Sequence, residues 1–447
     1  MIRAEHPTVR AYAERAARTP APVAPATLDA DWLRRLARDA GSDDVGLVEI
    51  GRRALDDQRD DILRFFPPTR TLVSLVCRMN REPIRSQARS VANLEFHHTG
   101  EQVNAVAKTV VAALERHGVR AVNPAMGFPM EMDRFNAEKI WVVSHKPVAV
   151  AAGLGHLGIH RNVIHPRFGS FILLGTVLLD AEATAYDQPL AYNPCLECKL
   201  CVAACPTGAI APDGQFNFAA CYTHNYREFM GGFTDWVEQV ADSRNAQAYR
   251  AKVTDAESTS LWQSLSFGAN YKAAYCLAVC PAGEDVIGPY LQDKAGHLNS
   301  TVRPLQQKAE TVYVVAGSDA ETHVARRFPT KTTKRVGNGL RPRSIAFFLG
   351  NLPHVFQPGQ ATGLDATYHF TFTGAEEHKA TVVIRDKTVR VTAGHVGTAT
   401  LRVTADSQWW LGFLARERSL LWGLVTRKLR LKGSPQLLRA FGTCFPS

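Results

Sequence analysis

The sequence contains no apolar run that approaches the roughly 20 residues of a membrane-spanning helix. Its most apolar stretch, FILLGTVLL at 171–179, has only the length of a strand. Residues 1–27 lack the apolar core of a signal peptide. Only two cysteines, Cys77 and Cys444, lie outside residues 195–280. A disulfide framework is therefore not indicated. We therefore expect a cytoplasmic protein without a transmembrane segment.

Composition and charge are those of a globular protein with several domains. A chain of 447 residues suggests two or three domains. Its 45% hydrophobic and 21% charged residues are a usual balance for such proteins. The formal net charge is +10. This excess fits nucleic acid, an anionic membrane or an acidic redox partner, and it fits a basic solvated surface equally well.

The predicted elements divide the chain into five parts. Residues 1–28 are rich in Ala, Pro and Arg and predict a flexible arm. Residues 29–190 alternate strands and helices, which predicts an α/β layered domain. Residues 191–300 contain seven cysteines, and 301–343 are predicted as a connecting segment because KTTKRVGNGLRPR is basic and poor in apolar residues. Residues 344–447 predict an α+β module of alternating strands and apolar-faced helices.

Within the α/β part, two helices and four strands are predicted. The helices are expected at 29–40 and 99–118, where apolar residues recur at helical spacing. The strands are expected at 43–50, 71–79, 139–145 and 171–179.

The most specific motif is CLECKLCVAACP at 195–206. Its four cysteines are separated by two, two and three residues and are followed by proline, as in bacterial ferredoxins. In such a run three thiolates bind one iron–sulfur cluster and the fourth binds a second cluster. Cys221, Cys276 and Cys280 lie downstream, where a return segment is needed. The tight spacing argues against buried or disulfide-bonded cysteines.

A glycine-rich segment at 151–170 lies between two predicted strands. It contains the pattern G-x-G-x-x-G at Gly153, Gly155 and Gly158. Dinucleotide binding by this pattern needs a strand–turn–helix and an acidic residue about 20 positions later. Asp180 lies at a strand end instead. The simpler interpretation is that the glycines let the backbone pass close to a flat cofactor, a cluster or another strand.

Together these pieces resemble epoxyqueuosine reductases and reductive dehalogenases. In that family an AGLG-x-x-G segment precedes a G-[ST]-x-x-x-L-G strand and then the C-x2-C-x2-C-x3-C-P run. Here AAGLGHLG, GSFILLGTVLLD and CLECKLCVAACP follow in that order, and GSDDVGLVEI and TRTLVSLVCRM match the family's N-terminal half. The resemblance covers about 30–290. It implies a nitroreductase-like α/β domain that binds cobalamin, and a ferredoxin-like domain that supplies electrons through two [4Fe–4S] clusters.

The resemblance also assigns the cysteines to clusters. It gives the first cluster Cys195, Cys198, Cys201 and Cys280, and the second cluster Cys205, Cys221 and Cys276. The family's return segment is C-x2-C-x3-C-P, but AAYCLAVCP carries Ala273 in place of its first cysteine. The second cluster is therefore [3Fe–4S], or it takes a ligand such as His224, Asn270 or Tyr271, or it has an open iron.

For cobalamin, the resemblance points to five cofactor-binding residues: Gly153, Gly155, Gly158, His156 and His160. His145 and Arg161 would lie close to such a site. The family's acidic proton donor precedes the AGLG segment, where this chain offers Glu131, Asp133 and Glu138. The weak catalytic candidates are Asp133, His160 and Arg161.

Residues 344–447 resemble the sterol carrier protein family. The matching pieces are Gly363-Leu364 before YHFTFTG, the strands KATVVIRDKTVRVTAG and ATLRVTAD, and the segment LVTRKLRLKGSPQLLRAF. The family implies a sheet with helices on one face around an apolar tunnel for a sterol, fatty acyl chain or acyl-CoA. A surplus of apolar residues agrees with a ligand cavity, although a packed small core would also account for these residues. The residues are Trp409, Trp410, Leu411, Phe413, Leu414, Leu420, Leu421, Trp422 and Leu424.

Two functions are compatible with these motifs. The leading hypothesis is an iron–sulfur oxidoreductase that takes electrons from a ferredoxin or flavodoxin and reduces a hydrophobic, lipid- or sterol-like substrate, with cobalamin added by the resemblance. The alternative is a non-catalytic electron-transfer protein whose lipid-binding module serves a separate enzyme. Nucleic acid is a disfavoured partner, because a lipid-type module stands where additions for binding it are expected.

Overall fold

The computed structural model describes residues 5–18, 25–134 and 140–446. None of the helices described there is both long enough and apolar enough to cross a bilayer. Up to residue 190 the elements are α1 Pro7–Arg18, β1 Thr27–Leu28, α2 Ala30–Asp39, β2 Asp44–Glu49, α3 Asp56–Phe65, β3 Thr71–Arg78, α4 Arg81–Arg85, α5 Arg89–Arg116, β4 Ala121–Val122, α6 His145–Ala151, β5 His156–Leu157, β6 Val163–Ile164, β7 Ile172–Leu179 and β8 Glu182–Ala183.

A four-stranded antiparallel sheet forms the centre of the α/β domain, in the order β2-β3-β7-β4. Alternate residues of β3 and β7 point to opposite faces. Val73 and Leu75 pack with α2 and α5 on one face, whereas Leu72 and Val76 pack with α3 and α6 on the other. Because both faces are covered, β7 is buried along its whole length, which explains its continuous apolar sequence.

Two local predictions for this part are wrong. Helix α5 begins at Arg89 instead of residue 99, and Gly100 lies inside it against Met126. The strand predicted at 139–145 is absent from the described residues 140–145: they form a loop that enters α6 at His145. Pro147 occupies the first turn of that helix, where the fixed φ of proline is tolerated. The predicted arm contains α1, although none of its residues is buried.

The cysteine region and the segment after it are mostly helical. Their elements are α7 Leu200–Ala204, α8 Phe218–Asn225, α9 Gly231–Ala241, α10 Ala246–Arg250, α11 Asp255–Phe267, α12 Tyr275–Ala278, α13 Glu284–Gln292, α14 Lys294–His297, α15 Arg303–Gln307, β9 Thr311–Val314, α16 Asp319–Arg327 and β10 Thr332–Arg335.

The predicted connecting segment at 301–343 is part of the folded core. Strands β9 and β10 pair in parallel with α16 between them. Val312, Val314 and Val324 belong to the same apolar cluster as the α/β sheet and the cysteine helices. The basic stretch that suggested a linker forms the outer strand β10, whose side chains are mostly exposed.

The C-terminal part is the predicted α+β module. Its elements are α17 Ile345–Val355, β11 Ala366–Thr373, β12 His378–Arg385, β13 Thr388–Ala393, β14 Leu401–Asp406, α18 Ser407–Leu414, α19 Leu420–Val425, β15 Leu429–Gly433 and α20 Pro435–Cys444. The five strands form one sheet in the order β13-β12-β11-β14-β15. The module has its own apolar cluster, which contains both Trp409 and Trp410.

Gly423 explains how α19 is attached to this module. It is the buried residue of a helix whose other side chains are largely exposed. A Cβ atom at this position would overlap the indole ring of Trp409. Only glycine therefore lets α19 approach the ring so closely.

We expect Gly423→Ala to lower the free energy of unfolding by about 1–3 kcal/mol, the usual cost of overpacking. Urea unfolding followed by tryptophan fluorescence would measure it. The matched control is Gly442→Ala in α20, where a Cβ meets open space and helix propensity favours alanine by up to about 1 kcal/mol. Equal unfolding midpoints for wild type and Gly423→Ala would contradict the contact.

Candidate functional site

The cysteine loop, which comprises the residues before α7 and the first turn of that helix, holds three cysteines. Cys195 and Cys198 precede α7, and Cys201 is its second residue. Glu197 and Lys199, which alternate with the cysteines, have φ values of 49° and 62° in the left-handed region. The side-chain oxygen of Asn193 accepts the N–H of Cys195 at 2.9 Å. Left-handed non-glycine residues cost of order 1–3 kcal/mol and persist where surrounding structure imposes them, often at functional sites.

Electrostatic coupling places Cys280 with the cysteines of this loop. Burial raises the pKa of the Cys280 thiol to about 11, and nearby Cys198 and Cys195 add to the rise. Burial also raises the pKa of Cys201, with Cys276, Cys280 and Cys198 as charged neighbours. The loop cysteines and Cys280, which we call set A (Cys195, Cys198, Cys201 and Cys280), thus lie close together, as the family resemblance groups them.

The remaining three clustered cysteines form a second group. Burial raises the pKa of Cys276 to about 12, and Cys205 and then Cys280 raise it further. Burial likewise raises the pKa of Cys221, with Cys205 and Cys276 contributing. We call Cys205, Cys221 and Cys276 set B. Cys276 also raises the pKa of Cys201 in set A, so the two sets are adjacent.

These thiols fit iron–sulfur clusters. All nine cysteines lie in the described residues and none forms a disulfide. Within the described ranges, no three His, Cys, Asp or Glu side chains converge on the position of a single metal ion. Buried, mutually repelling thiolates need a strong positive charge, and a coordinated metal centre deprotonates them outright. A cluster spreads its iron atoms among several thiolates, so it suits such sets better than a single ion.

Two buried arginines add positive charge behind the cysteines. The Arg85 guanidinium lies over the Phe171 ring, and that of Arg89 lies over the Tyr275 ring. Burial lowers the pKa of both, while Cys280 supports the charge of Arg85 and Cys276 that of Arg89. The Nε atoms of both arginines have no hydrogen-bond partner among the described residues. Such cations offset the negative charge of thiolates and clusters.

A lysine and an asparagine face set B from the α/β domain. The Asn162 side-chain amide donates to the Cys276 sulfur at 3.7 Å. Lys146 donates to the Asn162 side-chain oxygen and to the Arg161 carbonyl, both at 2.9 Å. Because Lys146 takes the amide oxygen, the amide nitrogen is turned toward the sulfur. Burial lowers the pKa of Lys146, whereas Cys276 and Cys221 support its charge.

A cavity of about 490 Å³ separates set B from the α/β sheet. Its volume lies in the range of small-molecule sites. All three cysteines of set B line it, together with Ala273. Most other lining residues are apolar or aromatic, including Phe96, Met126, Phe128, Trp141, Leu174 and Tyr226. No Asp or Glu is among its described lining residues.

The predicted histidines have different surroundings. His145 is fully hydrogen-bonded, because its ring nitrogens contact the Thr176 hydroxyl at 2.8 Å and the Ala125 carbonyl at 3.0 Å. His160 lines the cavity and accepts the Asn162 N–H on Nδ1. Burial and then Lys146 lower the pKa of His160 to about 4, so its neutral ring carries the hydrogen on Nε2. Arg161 lines the cavity as well.

The predicted cofactor glycines pack against the protein's own chain. The space beside Gly153 is filled by the Gln188 carbonyl and that beside Gly155 by the Ile164 carbonyl. Gly158 makes room for the His160 ring. None of these glycines lines the cavity, and neither does His156. The segment offers no open face for a flat cofactor, so we derive no step through cobalamin.

Neither acidic candidate in the described residues lines the cavity. Asp133 is exposed in a short turn at Met132–Arg134, and Glu131 is not a lining residue. Glu138 lies outside the described residues. Sequence reasoning missed Lys146, Arg85 and Arg89, for which it offered no signal. For Asn162 a signal existed, because it lies in the glycine-rich segment immediately before strand β6.

Comparisons with known proteins agree with the resemblance over part of the chain. No family model matches. An epoxyqueuosine reductase of Cellulophaga algicola is 25% identical over 189 residues, which cover 40% of this chain and 58% of that protein. An epoxyqueuosine reductase of Shewanella oneidensis is 24% identical over 211 residues, which cover 47% of this chain and 45% of that protein. The chain thus spans about half the length of these relatives.

Similar solved structures are more distant. An epoxyqueuosine reductase crystallised with a tRNA stem loop has a TM-score of 0.31 at 18% identity, covering 43% of this chain and 56% of that one. A reductive dehalogenase whose structure suggests a mechanism for B12-dependent dehalogenation has a TM-score of 0.37 at 13% identity, covering 66% of this chain and 37% of that one. Palmitated SCP2L2 from Aedes aegypti has a TM-score of 0.19 at 15% identity, covering 22% of this chain and 94% of that one. Scores of this size carry no argument about function.

The contacts of Asn162 and Lys146 predict effects on a cluster bound by set B. We expect Asn162→Leu to lower its reduction potential by about 20–60 mV, since one net hydrogen bond is worth about 0.5–1.5 kcal/mol. Lys146→Met should lower it as well, because a cation near the cluster favours the reduced form. An EPR-monitored redox titration measures both.

The control for this titration is Lys108→Met, which removes the same charge from an exposed position of α5. It should leave the potential unchanged. A potential that is equal in Asn162→Leu and wild type would show that the amide does not contact a cluster ligand.

Proposed function

We propose that the protein is an iron–sulfur oxidoreductase that reduces a hydrophobic substrate held in the cavity beside set B. The observation that carries this proposal is the position of one largely apolar cavity directly against three clustered cysteines. A relay cluster alone would need burial but no adjoining room for a small molecule. The partial similarity to epoxyqueuosine reductases supports the same class of chemistry.

Electrons would enter through set A. Its loop is the more exposed of the two regions, since Tyr192 and Leu196 are 56% and 44% exposed. A net charge of +10 suits an acidic donor such as a ferredoxin or flavodoxin. The clusters would supply single electrons, and the short separation between Cys201 and Cys276 would allow transfer from set A to set B.

The residues around the cavity would bind and orient the substrate. Aromatic and aliphatic walls exclude water and provide apolar contact. The Lys146 ammonium and the Nε2–H of His160 are two of the polar groups from the α/β side that can fix its orientation. With no carboxylate among the described lining residues, protons would come from neutral or cationic groups, among which Tyr226 keeps its hydroxyl hydrogen because burial raises its pKa.

We expect the anaerobically purified protein to contain about seven or eight iron atoms per chain, according to whether the set B cluster is [3Fe–4S] or [4Fe–4S]. Cys198→Ser and Cys276→Ser should each reduce the iron content by about half, because each removes a ligand of one cluster. Cys444→Ser, in a buried cysteine remote from both sets, should retain the full amount. An iron-free wild-type protein would disprove the proposal.

The C-terminal module supports a second element of the function, attachment to an anionic lipid surface. In α19 the side chains of Leu421, Trp422 and Val425 are 74%, 66% and 72% exposed. The following residues Arg427, Lys428, Arg430 and Lys432 are also exposed. An apolar helix bordered by basic residues is the pattern of proteins that insert at a bilayer interface. The module would thereby collect a hydrophobic ligand for the cavity.

We expect the protein to co-sediment with vesicles of phosphatidylserine and phosphatidylcholine, and less so at high salt. Leu421→Gln combined with Trp422→Gln should weaken binding by at least about tenfold, since burying one such side chain contributes about 1.5–3 kcal/mol. The control Leu291→Gln changes a side chain that is 62% exposed in α13. If wild type and the double variant sediment alike, α19 is not the lipid-contacting element.

A further inference from the structure

We infer that the cluster bound by set B has one corner without a protein ligand, and that this corner opens into the cavity and binds the carboxylate of an apolar acid. The inference rests on the proposed function, because it requires the clusters. This chain has Ala273 where a cysteine ligand is expected, and the residues around that position decide which ligand can take the corner.

Ala273 occupies the place where a fourth thiolate would stand. It lies three residues before Cys276 and lines the cavity together with the three cysteines of set B. Its backbone is fixed, because its N–H donates to the Asn225 side-chain oxygen at 2.8 Å. The methyl group therefore leaves open the space that a cysteine side chain would fill.

Asn270 is not available as a substitute ligand. Its side-chain oxygen accepts from the Asn93 amide at 2.6 Å, and its side-chain nitrogen donates to the Glu228 carboxylate at 2.5 Å. Its backbone N–H donates to Ser264 at 3.0 Å. Both ends of the amide are thus used in a network that ties α5 to the cysteine region.

His224 and Tyr271 are held in unsuitable states. His224 accepts the backbone N–H of Tyr313 on Nδ1 at 3.3 Å, so its neutral ring carries the hydrogen on Nε2 and has no free lone pair there. The Tyr271 ring is packed between Phe96 and Phe229, with centroid distances of 4.8 and 5.0 Å. Burial raises its pKa to about 12, so the phenol remains protonated.

The cavity wall indicates the ligand that would complete the corner. Lys146 places its ammonium group beside set B, because it donates to the Asn162 side-chain oxygen while the Asn162 amide donates to the Cys276 sulfur. No carboxylate among the described lining residues competes for it. An anionic oxygen donor is therefore favoured at this end of the cavity. The remaining walls are apolar, so the rest of the ligand would be apolar too. A carboxylate on an aliphatic chain combines both properties.

The test compares wild type with Ala273→Cys, both reconstituted anaerobically, using iron analysis, EPR and octanoate as the probe. In wild type, mild oxidation should release about one iron atom per chain and give the EPR signal of a [3Fe–4S] cluster. Octanoate should change the spectrum of the set B cluster. Ala273→Cys should retain its iron under the same oxidation and should not respond to octanoate.

The matched control is Ala274→Cys, which adds a thiol to the neighbouring position in the same cavity wall. It should behave like wild type. Should Ala273→Cys fail to fold, the octanoate response of wild type still decides, together with its loss in Lys146→Met. A wild-type protein with two oxidation-resistant [4Fe–4S] clusters and no octanoate response would overturn this inference alone. A protein without iron would overturn the proposed function and the inference with it.

Discussion

The structure depends on one constraint: seven thiols are packed close together in a protein interior. Burial and mutual repulsion both oppose their ionisation, as the raised pKa values of Cys276 and Cys280 show. An assembly of this kind ionises, as metal binding requires, only when positive charge is brought to it. Arg85, Arg89 and Lys146 provide part of that charge from three helices of the α/β domain. Iron would provide the rest.

This constraint explains why the α/β domain and the cysteine region share one core. Arg89 in α5 extends to the cysteines, while Val103 and Val110 of the same helix pack on the central sheet. The glycine-rich segment similarly links the two regions. Its Gly155 packs against the Ile164 carbonyl within the α/β domain, and its Asn162 donates to the Cys276 sulfur. Positioning of the cysteines in both sets therefore depends on the fold of a domain that contributes no cysteine to either set.

The sequence predicted those elements whose signal is local. The buried strands β3 and β7 have continuous apolar runs, and Asp29 caps α2 by accepting the Trp32 N–H. The cysteine grouping came from the family resemblance and stays a prediction. Long-range packing was not predictable: the helix was expected to begin at residue 99, yet Gly100 lies in mid-helix with Met126 packed over it. The same misplaced start hid Arg89, Asn93 and Phe96, which all lie in the first turns of α5.

The C-terminal module contacts the site through α8, the helix that carries Cys221. His354 in α17 lies edge-on to Phe218 at a centroid distance of 6.2 Å, and Phe218 lines the cavity. Gln357 links the same region to α16 by accepting the Asp319 N–H at 3.0 Å. A lipid-type module that only tethered the protein would not need to touch this helix. Its contact with a cavity-lining aromatic residue places the end of α17 beside the cavity wall. The proposed delivery of a hydrophobic ligand from the module would therefore need only a short path.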